Sequence, residues 1–164
     1  HADTARLLLD KGAAVDHKDG RTPLYVACEE GHVDAVRLLL DKGAAVDRAR
    51  NNGCTPLYIA CEMGHVDVAR LLLDNGAEID RADEDGGTPL YIACQEGNID
   101  VVRLLLEKGV DVDRPNNKGQ TPLHVACINS SVDLAACLLD AQCNSTSANR
   151  HGRRVFQYRR RPAL

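Results

Sequence analysis

Thr55-Pro-Leu-Tyr-Ile-Ala-Cys61 is the stretch that decides this fold, because it returns as Thr22-Pro-Leu-Tyr-Val-Ala-Cys28, Thr88-Pro-Leu-Tyr-Ile-Ala-Cys94 and Thr121-Pro-Leu-His-Val-Ala-Cys127. Successive copies are 33 residues apart. A fixed step of this size marks stacked supersecondary units, none of which can bury its apolar face without its neighbours. The product is a one-dimensional array, and function is to be sought on its long surface instead of in a central pocket.

Within one unit, Thr22 followed by Pro23 predicts a helix start. The hydroxyl caps free backbone donors, and proline suits the first helical position, where no donor is needed. A short helix is expected from Pro23 to Glu30, ended by Gly31, with a second from Val33 to Asp41 closed by Gly43. In the second helix Val36, Leu39 and Leu40 share a stripe that Leu38 widens, an apolar arc broad enough to pack against neighbours on both sides. Arg37 stands three and four residues from Asp34 and Asp41, as do Arg70 and Arg103 from their own acids. That spacing reads as a solvated outer face with weak intrahelical pairs. Between units, Asn51-Asn52-Gly53 and Asp85-Gly86-Gly87 are turn sequences, so each link is expected to be a projecting hairpin or loop.

These residues resemble the ankyrin repeat family, whose units run Asp-Gly-x-Thr-Pro-Leu-His-x-Ala-Ala, Gly-His, Leu-Leu-Leu and Gly-Ala-x-Val-Asn. Here Asp19-Gly20-Arg21-Thr22-Pro23-Leu24, Gly31-His32, Leu38-Leu39-Leu40, Gly43-Ala44 and Val46-Asp47 match. The resemblance implies an all-α fold, an ankyrin repeat solenoid of stacked helix-turn-helix units with projecting hairpin loops. It divides the chain into an array over 1–144 and a basic tail over 145–164. Within the array are a partial repeat over 1–18 and repeats over 19–51, 52–84, 85–117 and 118–144.

The chain also departs from the pattern. Tyrosine stands at 25, 58 and 91 where the family more often has histidine, and cysteine replaces the second alanine in all four copies. Asn98 replaces one histidine of the Gly-His pairs, and Ser130-Ser131 replaces a whole pair. With Ala136 in the arginine slot and Gln142 in that of the closing glycine, the last repeat reads as a decayed or capping end. His1 to Asp10 aligns with His32 to Asp41, so the chain opens on a second helix and is expected to be a fragment of a longer protein.

Aromatic residues make up 3% of the chain, which fits thin leucine and alanine layers and leaves no aromatic cage. No apolar run approaches the roughly 20 residues that cross a bilayer, so no membrane contact is expected. Cys28, Cys61, Cys94 and Cys127 occupy one column of stacked helices about 8 to 10 Å apart, beyond the roughly 7 Å reach of a disulfide. They are expected to be small buried thiols in alanine slots. Free thiols in that number point to a reducing compartment, cytoplasmic or nuclear. Cys54 shares the projecting position of Arg21, Gly87 and Gln120. It is expected to be exposed, either as a thiol activated by Arg48 and Arg50 or as a plain surface residue, and to react before the column cysteines.

All 24 acidic residues lie at or before Asp140, while six of the 20 basic ones, Arg150, Arg153, Arg154, Arg159, Arg160 and Arg161, lie beyond it. The net charge of −4 conceals this split. The tail is read as a disordered basic extension. A nuclear address, a phosphate-binding arm, a clamp onto the acidic array and an altered reading frame stay open. Nucleic acid is expected to bind weakly at most, and only through that tail.

No phosphate loop, nucleophile elbow or metal quartet occurs, so no enzyme, cofactor or metal is expected here. His32 and His65 are read as turn and capping residues of the Gly-His elements over an acid/base pair. The resemblance places partner contacts along the hairpin tips and the inner-helix concave face. Carried over, these are Arg21, Glu29, Glu30, Arg50, Cys54, Glu62, Met63, Asp83, Gln95, Glu96, Gln120, Ile128 and Asn129. They are the positions that differ between otherwise similar repeats, either because they select a partner or because solvent leaves them unconstrained. The expected function is that of a protein–protein interaction module, monomeric, for a basic or mixed-charge partner. The alternative is a structural spacer or regulatory array attached to a catalytic or channel domain outside this fragment.

Overall fold

The computed structural model describes residues 19–141. The opening half unit and the arginine-rich tail, with Gln142, lie outside the described residues. Among the described residues there are eight helices and no strand, in four hairpins: α1 (Pro23–Glu29) with α2 (Val33–Asp41), α3 (Pro56–Glu62) with α4 (Val66–Asp74), α5 (Pro89–Glu96) with α6 (Ile99–Glu107), and α7 (Pro122–Ile128) with α8 (Val132–Asp140). No helix among them is long and apolar enough to cross a membrane.

The recurring threonine sets the start of each inner helix. Thr22, Thr55 and Thr88 each accept the backbone N–H of the tyrosine three residues on at 3.1 Å, with proline in the first turn. At Thr121 the bond is reciprocal, since Nδ1 of His124 accepts the Thr121 N–H at 3.2 Å, forming a capping box. The inner helices end where a residue turns left-handed. Gly31 (φ +71°), Gly64 and Gly97 do this without strain, whereas Ser130 holds φ +55° in the last described repeat. A side chain in that region costs about 1 to 2 kcal/mol, so the turn persists there against a local penalty.

Each inner helix packs on the inner helix of the next repeat and each outer helix on the next outer one, with the inner row the more densely joined. The core runs as one column through Leu24, Leu57, Leu90 and Leu123 on the inner helices and Val36, Leu39, Val68, Leu72, Val102, Leu105, Leu134 and Leu138 on the outer ones. Leu38, Leu71 and Leu73 are half-buried, the widened part of the arc. On the outer face, no ion pair among the described residues joins Arg37, Arg70 or Arg103 to an acid of its own helix. Asp74 takes Lys108 of the next repeat at 2.7 Å, and that contact, with the weaker pull of the Arg70 charge from its own helix, holds its carboxyl below the ordinary value.

Two cysteine expectations fail. Cys28, Cys61 and Cys94 are fully buried, but Cys127 is exposed, because the column is covered from the following repeat and α7 has no further described repeat over it. Cys54 is buried, at 6% exposure. It lies past the tip, on the limb descending into buried Thr55, and its carbonyl accepts the Arg50 N–H at 2.9 Å. Burial, with Asp83 and Glu62 nearby, pushes its thiol up to about 11, and Arg50 opposes this only weakly. Thiol labelling of the folded protein, read by mass spectrometry, is accordingly expected to modify Cys127 ahead of Cys28, Cys54, Cys61 and Cys94. Prior modification of Cys54 would contradict the burial.

Candidate functional site

The hairpins rise from the inner helices as a connected ridge. The Arg50 N–H donates to the Cys54 carbonyl, Asp83 to Gly87 and Asn116 to Gln120, each at 2.9 Å, closing successive tips. Neighbouring tips join through Asn51 N–H to the Asp19 carbonyl (3.2 Å), Glu84 to Asn52 (3.1 Å) and Asn117 to Asp85 (2.8 Å). Side-chain acceptors complete the turns. Asp83 Oδ1 takes the N–H groups of Asp85 and Gly87, and Asn116 Oδ1 those of Lys118 and Gln120.

The tyrosines fasten these tips to the inner helices. Tyr25 lies beneath Arg50, whose guanidinium is 5.9 Å from the ring centre; Tyr58 reaches Asp83; Tyr91 is close to Asn116 and donates to Gln120 Oε1 at 3.4 Å. Arg50, Asp83 and Asn116 are equivalent positions 33 residues apart, so each tyrosine holds the tip of the following repeat. Burial pushes the Tyr25 hydroxyl up to about 12 and raises Tyr58 further, in keeping with structural roles.

A second set of rungs joins the helix ends. His65 Nε2 lies 3.1 Å from the Glu29 carbonyl, Asn98 Nδ2 donates to the carbonyls of Cys61 (2.9 Å) and Glu62 (2.8 Å), and Asn129 Nδ2 donates to that of Gln95 at 2.8 Å. His32 and His65 make no side-chain cap to their own helices. The capping done by His65 is across repeats, on the C-terminus of the preceding inner helix. Gly31 and Gly64 permit the approach: a Cβ would stand 2.7 Å from the His65 ring and 2.8 Å from Asn98 Oδ1 respectively.

A family model described as ankyrin repeats (3 copies) matches residues 1–83 and 79–149. The chain belongs to the ankyrin repeat family. Ankyrin repeats generally mediate protein–protein interaction and are typically not enzymes. No curated protein matches the chain.

On this ankyrin array the positions carried over from the sequence fall into three groups. Arg21, Arg50, Asp83 and Gln120 are half-buried and engaged internally: Arg21 pairs with Asp19 (2.8 Å) and Glu29 (3.2 Å), and Arg50 lies 3.6 Å from Asp19. Cys54 is turned inward. Glu30, Met63, Gln95, Glu96, Ile128 and Asn129 are exposed at the C-terminal ends of the inner helices, with Glu29 and Glu62 half-buried among them. Met63 is 46% and Ile128 65% exposed, apolar surface at the edge of an otherwise polar face.

Glu62 sits at the centre of the acidic group. Burial raises its carboxyl, and the charges of Glu96 and Glu29 raise it further. Helix C-termini already carry partial negative charge, so acids there act against local stability. The folded state thus holds the Glu62 proton more tightly than the unfolded chain, and the cost of its charge is present at neutral pH and disappears as pH falls below the ordinary glutamate range. Glu62→Gln is therefore expected to raise the melting temperature at neutral pH and to lose that advantage in acid. Thermal melts across that range check it, and an advantage that grows in acid would contradict the assignment.

Sequence reasoning misses the tyrosine latches and the cross-repeat caps as contacts. Their signal is the 33-residue column itself, in which Tyr25, Tyr58 and Tyr91 recur while Arg50, Asp83 and Asn116 vary.

Proposed function

We propose that this array is a protein-binding module that receives a basic or mixed-charge partner on the concave edge formed by the inner-helix C-termini and hairpin tips. The observation that carries the reading is the repulsion that Glu62 meets from Glu96 and Glu29 at helix ends that already disfavour an acid. Cationic groups on a partner would relieve that repulsion, with Met63 supplying an apolar contact between them. The internal pairing of Arg21 and Arg50 leaves those cations to shape the ridge, and the burial of Cys54 removes it from the contact set. The array acts as a monomeric, non-enzymatic element of a reducing, cytoplasmic or nuclear compartment.

The spacer reading predicts instead that no partner depends on these side chains. Affinity capture compared between the native array and one with the ridge charges reversed tests the proposal. Partners retained only by the native ridge support recognition, whereas identical profiles support the spacer.

A further inference from the structure

Two Asn-Gly dipeptides occur among the described residues, Asn52-Gly53 and Asn75-Gly76, and the structure holds their side chains in opposite directions. Asn-Gly is the sequence in which a backbone nitrogen most readily attacks a side-chain amide, because glycine has no Cβ to obstruct the approach. Both glycines are left-handed at φ +84°. Both also spend their N–H in a turn, Gly53 on the Arg50 carbonyl at 2.9 Å and Gly76 on the Leu73 carbonyl at 3.1 Å. The nucleophile is equally engaged at the two sites, and both asparagines are exposed.

The amides differ. Asn52 directs Oδ1 forward along the chain, where it accepts the Cys54 N–H at 3.2 Å. That bond puts a donor on the oxygen where charge gathers during attack. Asn75 directs its amide backward, with Nδ2 donating to the Leu71 carbonyl at 2.8 Å on the last turn of α4. Its leaving nitrogen is bound to the helix.

We propose that Asn52 is a site of spontaneous deamidation in the folded protein and that Asn75, in the same dipeptide, is protected. The Gly53 nitrogen loses its proton to solvent base and bonds to Asn52 Cγ. The bond from Cγ to Nδ2 breaks, and ammonia leaves after taking a proton from water. Water then opens the cyclic imide at either carbonyl, giving aspartate or isoaspartate. Aspartate is the residue already present at the equivalent positions 19 and 85, so that product is accommodated. Isoaspartate reroutes the backbone through the former side chain and disrupts the rung in which the Asn52 carbonyl accepts Glu84 N–H at 3.1 Å. Either product adds negative charge at the tip beside Arg50.

The test is incubation of the intact protein in mildly alkaline buffer, followed by tryptic mapping. Cleavage after Arg50, Arg70 and Arg81 places Asn52 and Asn75 in separate peptides. Fragment spectra distinguish Asn52 from Asn51, and a parallel sample in concentrated urea reports the intrinsic rates. Conversion at Asn52 is expected to run several-fold ahead of Asn75 in the folded protein, with the two rates drawing together in urea. Equal or reversed rates in the folded protein, or the same ratio folded and unfolded, would overturn the proposal.

Discussion

Leu72→Ala is expected to destabilise the array by about 2 to 5 kcal/mol in equilibrium urea unfolding. Leu72 is fully buried on α4, the outer helix flanked by α2 and α6. The loss combines the transfer energy of the removed carbons with a cavity that close-packed neighbours refill only in part. In a stack whose units contact only their neighbours, a defect in a central layer weakens the interfaces on both sides. Leu71→Ala and Leu73→Ala, at half-buried positions, should cost less. A Leu72→Ala loss below about 0.5 kcal/mol would be that of a surface substitution and would contradict the packing.

Much of this architecture is written in local signals. Thr-Pro gives the start of each inner helix, Gly31 and Gly43 its end and that of its partner, and the bounds expected for α1 and α2 differ from the structure by one residue, at Glu30. The ridge is less legible, because it depends on contacts between units. Position 54 shows the limit. Arg21, Cys54, Gly87 and Gln120 share one slot, but an arginine can leave it for Asp19 and Glu29, whereas a cysteine is short enough to stay beneath the tip. Cys127 shows another, since burial of a repeated position depends on the neighbouring unit that covers it in the stack. Asn98 reads in the sequence as a loss of the family histidine, but it makes two bonds to the preceding helix end where His65 makes one. A departure from the pattern in sequence there keeps the contact in space.

Reversing the centre of the acidic edge with Glu62→Lys and Glu96→Lys is expected to weaken a ridge-bound partner by about tenfold or more at low salt, about 1.4 kcal/mol, mainly through slower association. Added salt should narrow the difference, because screening removes the attraction that the native edge supplies. Glu29 is left in place, since its pairing with Arg21 would be lost with it and would confuse binding with ridge geometry. The substituted lysines also remove the repulsion around Glu62, so the melt should be unchanged or slightly raised. Arg37→Glu with Arg70→Glu provides a charge reversal of the same size and opposite sign on the exposed outer face.

The most direct measurement is the affinity of a captured partner for these three proteins, native, ridge-reversed and outer-face-reversed, at low and high salt. The concave-edge reading predicts that only the ridge-reversed array loses affinity and that it also loses most of the salt dependence. Unaltered binding by that array, or loss confined to the outer-face variant, would contradict it.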